Sequence, residues 1–191
     1  MERNNLYPIF LKTEQLNILI VGGGNVAEEK LRFLTKSSPD ANVTLVAPWF
    51  SDEVKMLAHH FKIELITDVY QSKHLKNQHM VIATTDIATV NIEVYKDCRS
   101  KNILVNIADN PPFCDFYMGG IVTKGNVKIG ISTNGKSPTT AKRLRQFFED
   151  VIPEDINKMV QNLNVYRKTI KGNFKQKVDK MNIVTSSLIE K

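Results

Sequence analysis

Short apolar runs of four or five residues alternate with amphipathic stretches over the first 110 residues. Asn17–Val21, Val43–Ala47, Ile63–Thr67, Met80–Ala83 and Leu104–Ile107 read as strands. Between them, Val26–Lys36, Ser51–His60 and Ile87–Ser100 carry apolar residues at helical spacing. Strands that are apolar throughout are buried on both faces, and their alternation with helices predicts a covered parallel sheet. The expected fold is α/β, a Rossmann-type doubly wound parallel sheet.

The pattern then changes. Met118–Thr123 and Val127–Ser132 are strand-like and joined by Lys124-Gly125-Asn126, which predicts a hairpin. A polar loop, Thr133–Pro138, follows and ends in a helix start, with Ser137 as N-cap and Pro138 in the first helical position. That helix is expected to run to about Val151, before Pro153. Asp155–Ile170 repeats apolar residues at helical spacing, and Phe174–Ile189 does so more weakly. The expected organisation is a nucleotide-binding domain over 1–113, a hairpin-plus-helix unit over 114–150, and a helical C-terminal domain over 151–191.

With 191 residues the chain is long enough for one good core and a smaller appendage. No apolar run approaches the roughly 20 residues of a membrane span, so no membrane partner is expected. The opening residues Met1–Asn5 lack the basic-then-apolar plan of a secretory signal. Cys98 and Cys114 have neither disulfide-framework nor metal-ligand spacing, which predicts two reduced thiols in a cytoplasmic protein. The four histidines, His59, His60, His74 and His79, show no ligand spacing either, and no resident metal is expected.

The net charge of +6 is unevenly placed. Residues 1–135 carry 14 basic and 14 acidic side chains, whereas residues 136–191 carry 12 and 6. A basic C-terminal third suits an anionic partner or, equally, a solvated helix face. Aromatic interleaving and a helix-turn-helix pattern are both missing, which argues against nucleic acid.

Candidate chemistry starts at Ile18–Ala27, where a strand flows into Gly22-Gly23-Gly24-Asn25-Val26-Ala27 and then a helix. In that order of elements a Gly-x-Gly-x-x-Ala loop points to a dinucleotide. Gly22 permits the tight turn, Gly24 lets backbone approach a pyrophosphate, and Ala27 keeps the helix close to the sheet. N–H groups around Asn25 and Val26 at the helix start would hold the phosphates. The acid that usually grips the ribose about 20 residues later is missing. The second strand ends instead in Ala47-Pro48-Trp49, so side chains alone do not separate NAD from NADP, and any ribose contact falls to backbone there.

Residues beyond the carboxyl ends of strands line the ligand crevice of an open sheet. Thr84, Asp86 and Asn91 are therefore candidates for the cofactor side, with Asp86 alternatively a helix cap. Asp109, after the fifth strand and before Asn110-Pro111-Pro112, reads either as a proton acceptor beside the nicotinamide end or as a turn residue.

These residues together resemble the precorrin-2 dehydrogenases, the amino-terminal module of siroheme synthases. The resemblance is carried by Gly22–Ala27 with Lys30, Val46-Ala47-Pro48, Ala83–Asp86 with Asn91, Asn106 with Asp109, and Ser132-x-x-Gly135-x-Ser137-Pro138. It covers about Tyr7 to Val151. It implies NAD-dependent oxidation of precorrin-2 to sirohydrochlorin, Asp109 as the active-site aspartate, and a homodimer formed through the hairpin and the helix after it. Asn106, Ser132, Lys136, Ser137, Lys142, Arg143 and Arg145 then fall where such proteins place their octacarboxylate substrate. Some members also insert ferrous iron, which the motifs do not resolve. A nucleotide-sensing regulatory domain is the alternative of another class; it would keep the acid after the second strand and lack the Ser-Pro helix start.

Overall fold

The strands are β1 (Ile18–Val21), β2 (Val43–Ala47), β3 (Glu64–Thr67), β4 (Met80–Ala83) and β5 (Leu104–Ile107). They pair in parallel in the order β3-β2-β1-β4-β5. Helices α1 (Asn25–Ser37), α2 (Asp52–Phe61) and α3 (Ala88–Ser100) connect them. The computed structural model describes residues 3–186. The doubly wound sheet expected from the alternation is the one observed.

Alternate strand residues serve the two faces. Ile18, Ile20, Val43, Leu45, Met80 and Ile82 pack with Ala27 and Leu31 of α1 and Val54 of α2. Leu19, Val21, Val46, Val81, Val105 and Ile107 pack with Val94 and Cys98 of α3. With both faces covered, every residue of β1 and β4 is buried, which is why these strands read as continuous apolar runs. Strand order reverses between β1 and β4, the switch point at which open α/β sheets bind ligands.

Two compact units make up the chain. The first runs to Gly119 and takes in Ser132–Ser137; the second comprises Gly120–Ile131 and the residues from Pro138 onward. In the second, β6 (Gly120–Lys124) and β7 (Val127–Ile131) form the expected antiparallel hairpin, with Gly125 left-handed at φ +59° in the turn. Asn157 of α5 (Ile156–Thr169) caps this turn, its Oδ1 accepting from Asn126 N at 2.9 Å and from Asn126 Nδ2 at 2.8 Å. Helix α4 (Pro138–Val151) packs on β6, close enough that a Cβ on Gly120 would stand 3.3 Å from the Ala141 carbonyl. Helix α6 (Phe174–Thr185) follows, opened by Asn173 and Gln176 in a reciprocal capping box. The expected end of that helix, Ile189, lies outside the described residues.

One boundary moves for a physical reason. The first hairpin strand begins at Gly120 rather than Met118, because Phe116 and Met118 pack against the core of the first unit.

Candidate functional site

Every strand of the sheet points its carboxyl end to the same rim, and the loops there hold most of the candidates. At its centre, Gly22 adopts φ +130°, where a Cβ would lie 2.3 Å from Thr84 Oγ1. Gly23 is equally constrained. A Cβ on it would stand 2.0 Å from the Trp49 carbonyl oxygen and 2.9 Å from Phe50 Cδ1. The close approach is fastened by Ser51 N donating to Gly23 O at 2.8 Å. So the loop after β2 is bound to the glycine loop through backbone, and Gly23, to which the spacing rule assigns no role, is the residue that permits it. Its signal in the sequence is only that three glycines stand where the fingerprint requires two.

Gly24 is different. A Cβ there would meet nothing nearer than the Trp49 ring, at 3.6 Å. Packing within the protein does not demand glycine at this position. Gly24 is the N-cap of α1 and no side chain caps that helix end. A helix N-terminus that no side chain caps fits the pyrophosphate of a dinucleotide. Ala27 is fully buried against the sheet, as its small size allows. Asn25 and Val26 form the first turn of α1.

At the end of β2, Ala47 is buried, whereas Pro48 is exposed and Trp49 is 61% exposed with its ring beside Gly24. Trp49 is the single tryptophan of the chain. Titration with NAD+ is therefore expected to change tryptophan emission saturably, and Trp49→Phe should abolish the signal with less than about a tenfold change in affinity. An unchanged emission with binding seen by calorimetry would remove Trp49 from the cofactor side.

Three candidates turn inward. Thr84 is 6% exposed, and its Oγ1 donates to Val21 O at 2.9 Å, tying the end of β4 to the end of β1 beneath Gly22. Asn91 donates to Thr85 O at 2.8 Å and accepts from Thr85 Oγ1 at 2.8 Å. Asn106 is 7% exposed and donates to Phe116 O at 2.8 Å. Buried amides and hydroxyls take protein partners because an unsatisfied one is costly. These side chains shape the rim from below through their bonds to backbone and to Thr85.

Asp86 keeps its carboxylate exposed, and the side chain that bonds the N-terminus of α3 is Thr85, whose Oγ1 accepts from Ile87 N at 3.2 Å. The helix-cap alternative for Asp86 thus gives way to Thr85, which sequence reasoning did not single out. Asp109 is exposed and left-handed at φ +57°. It occupies the third position of a turn closed by Asn110 N donating to Ile107 O at 3.2 Å. Asp tolerates this conformation better than most residues, and the turn lifts its carboxylate off the end of β5.

In the loop 132–137, Asn134 and Gly135 are both left-handed, at φ +54° and +72°. Ser132 Oγ accepts from Asn134 N at 3.1 Å, and Thr133 Oγ1 accepts from Ser137 N at 3.3 Å while donating to Ser137 O at 3.0 Å. Lys136 is exposed and Ser137 precedes Pro138, the first residue of α4. Within the second unit, Lys142 and Arg143 are exposed on α4, Arg143 bonding Gln146. Arg145 is half-buried and pairs with Glu149, so part of its charge is already matched.

Of the histidines, His79 Nδ1 accepts from Asn17 N and His74 Nδ1 accepts from Gln71 N, both structural bonds. Among the described residues no group of three potential metal ligands occurs. No described helix is long and apolar enough to cross a membrane.

A family model described as "Putative NAD(P)-binding" matches residues 9–120. The chain belongs to this NAD(P)-binding family. A second model, described as "Sirohaem biosynthesis protein central", matches residues 124–150, from the hairpin turn through β7 to the last turn of α4. The siroheme synthase of Pseudoalteromonas atlantica is 38% identical over 168 residues, covering 88% of this chain and 36% of the relative. That of a Psychrobacter species is also 38% identical, with 88% and 34% covered. The chain thus spans about a third of the length of the curated relatives it matches. A solved structure titled "SirC, precorrin-2 dehydrogenase" superposes with a TM-score of 0.75 at 20% identity, over 97% of this chain and 90% of that one. The resemblance read from the motifs is borne out. The cofactor class follows from the family: a nicotinamide dinucleotide.

Proposed function

We propose that this protein oxidises precorrin-2 to sirohydrochlorin with NAD+ as acceptor, a step of siroheme biosynthesis. The observation that carries the proposal is Asp109, a carboxylate raised in a left-handed turn on the same rim as an uncapped, glycine-started helix. Residues Gly22–Val26 would hold the pyrophosphate, and the backbone at Ala47–Trp49 would meet the adenosine ribose. Bound NAD+ supplies the hydride acceptor, and the protein positions it. Asp109 accepts the proton that the substrate carbon framework releases as the hydride leaves. Thr84, Asn91 and Asn106 keep the three loops of the rim in place. Asp86, exposed after β4, would line the cofactor crevice.

An octacarboxylate needs cations and helix N-termini. Lys136 in the loop Ser132–Ser137 of the first unit, and Lys142, Arg143 and Arg145 on α4 of the second, each offer such a cation. Reversing the charge at Arg143 and Arg145 together is expected to raise the KM for precorrin-2 about tenfold or more while leaving the NAD+ Kd unchanged. An unchanged KM would take α4 out of the substrate site. A homodimer is supported by the apolar stripe Leu144, Phe147 and Val151, exposed at i, i+3 and i+7 along α4. Cytoplasmic location is supported by two free cysteines.

The deciding experiment is an anaerobic assay with precorrin-2 and NAD+, followed at 340 nm. NADH formation supports the proposal, and none with NAD+ demonstrably bound overturns it. Adding Fe2+ afterwards tests whether the same chain also inserts the metal.

A further inference from the structure

The turn that raises Asp109 is held from beneath by a side-chain chain in which the proposed reaction gives its central member, Cys114, no part. Cys114 Sγ lies 3.2 Å from Ile107 O and 3.3 Å from Asn110 O, the two ends of that turn. The same sulfur receives Asn106 Nδ2 at 3.4 Å. The second hydrogen of that amide goes to Phe116 O. A thiol has one hydrogen to give and weak acceptor capacity. Here the S–H is shared between the two turn carbonyls while the sulfur accepts from Asn106, so each group has a partner.

Cys114 is itself anchored. Its neighbour Asp115 lies along β5, with Asp115 N donating to Val105 O at 2.8 Å and Asp115 Oδ2 accepting from Val105 N at 3.1 Å. Arg99 Nη1 on α3 bonds Asp115 Oδ1 at 2.8 Å. On the other side, Pro111 and Pro112 restrict the short helical turn that leads from Asn110 to Cys114. The sulfur therefore sits at a point fixed from both directions, and what it fixes in turn is the loop bearing the carboxylate.

We propose that Cys114, held by Asn106, is a positioning residue for Asp109, setting the turn Ile107–Asn110 and with it the direction of the carboxylate. The inference rests on the assignment of Asp109 as the proton acceptor. Burial raises the Cys114 pKa, which keeps the sulfur protonated and able to donate at neutral pH. Loss of the donor leaves Ile107 O and Asn110 O with only their backbone partners, Asn110 N and Phe113 N, and removes the side-chain tie that joins the two ends of the turn; small displacements of a reacting group have large kinetic effects.

The test compares Cys114→Ala, Cys114→Val and Cys114→Ser, alone and combined with Asp109→Asn, in the anaerobic precorrin-2 assay. Ala and Val remove the donor, one with a smaller and the other with a larger side chain than the thiol. Both are expected to lower kcat about tenfold or more, with the KM for NAD+ within about twofold. Ser retains a donor and should restore kcat to within about threefold of the parent. In the Asp109→Asn background, Cys114→Ala should change the residual rate by less than about twofold, because its effect passes through the carboxylate. Full kcat in the Ala or Val variant overturns the proposal. So does an equal loss in the Asn background, or a loss that tracks a lowered Tm without rescue by Ser. If Asp109→Asn alone keeps full kcat, the assignment of Asp109 has failed. If that variant is impaired while the Cys114 variants are not, only the present inference has.

Discussion

Asp109→Asn is expected to lower kcat for precorrin-2 oxidation by a factor of about 10²–10⁴, the usual worth of a positioned general base. The choice of Asn follows from the backbone. At φ +57° Asp109 is in the left-handed region, which Asn tolerates as well as Asp does. Asn keeps the shape of the side chain and removes only its capacity to take a proton. Ala would confound the experiment, since it adds strain of about 1 kcal/mol in that region with no polar group to offset it. The NAD+ Kd and the Tm of the Asn variant should match the parent, because the carboxylate is exposed and makes no bond that the turn depends on. A kcat within threefold of the parent would remove Asp109 from the reaction.

The second large effect is expected from the glycine loop, and it separates two neighbouring glycines of which the fingerprint names only one. Gly23→Ala places a methyl 2.0 Å from a backbone oxygen, that of Trp49, and 2.9 Å from the Phe50 ring. A flexible side-chain tip could retreat, but a carbonyl between a β-strand and the N-cap of α2 cannot do so without moving the loop. The bond from Ser51 N to Gly23 O would be lost with it. Overpacking of this kind costs about 1–3 kcal/mol or more, a Tm decrease of roughly 3–10 °C for a chain of this size. NAD+ affinity should fall with it, by about a hundredfold or more, because the loop proposed to hold the cofactor would shift. Gly24→Ala is the control. Its methyl meets only the Trp49 ring at ordinary contact distance, so the Tm should hold while NAD+ binding is lost. Differential scanning fluorimetry and titration of Trp49 emission measure the two quantities. Equal effects of the two variants on Tm would contradict the distinction.

Neither Cys98 nor Cys114 offers an easy handle for such measurements. Burial pushes the Cys98 thiol up to about 12 and raises Cys114 as well, so thiolate is scarce at neutral pH.

Much of the fold was legible from pattern alone. Parallel strands with both faces covered need apolar residues at every position, and β1 and β4 carry them, so their place in a buried sheet showed in the chain itself. The hairpin turn at Gly125 and the helix start at Pro138 were visible for a similar reason. Each is dictated by the φ preference of one residue, a local property. Asp109 was legible as a rim residue once β5 was recognised, because every parallel strand ends on the same side.

The inner tier of the site was not legible. Thr84, Asn91 and Asn106 stand at the ends of strands or just past them, where a polar residue reads as a ligand contact. What the chain could not show is that their hydroxyl and amides bond Val21, Thr85 and Phe116. Periodicity records which face a residue occupies and carries no information on whether a polar group there meets ligand or backbone.

The sequence by itself determined the sheet, its helices, the hairpin, and which loops lie on the ligand-binding rim. Those follow from short continuous apolar runs, from the helical period of 3.6 and from the conformational limits of glycine and proline, all local in the chain. Only the tertiary structure decided that Gly23 yields to Trp49, that Thr84 ties two strands together, and that Cys114 supports the Asp109 turn. The first two join residues 26 and 63 positions apart, and the third depends on a segment that doubles back along β5. Contacts of that range are set by how the elements pack, and no short window of the chain contains both partners.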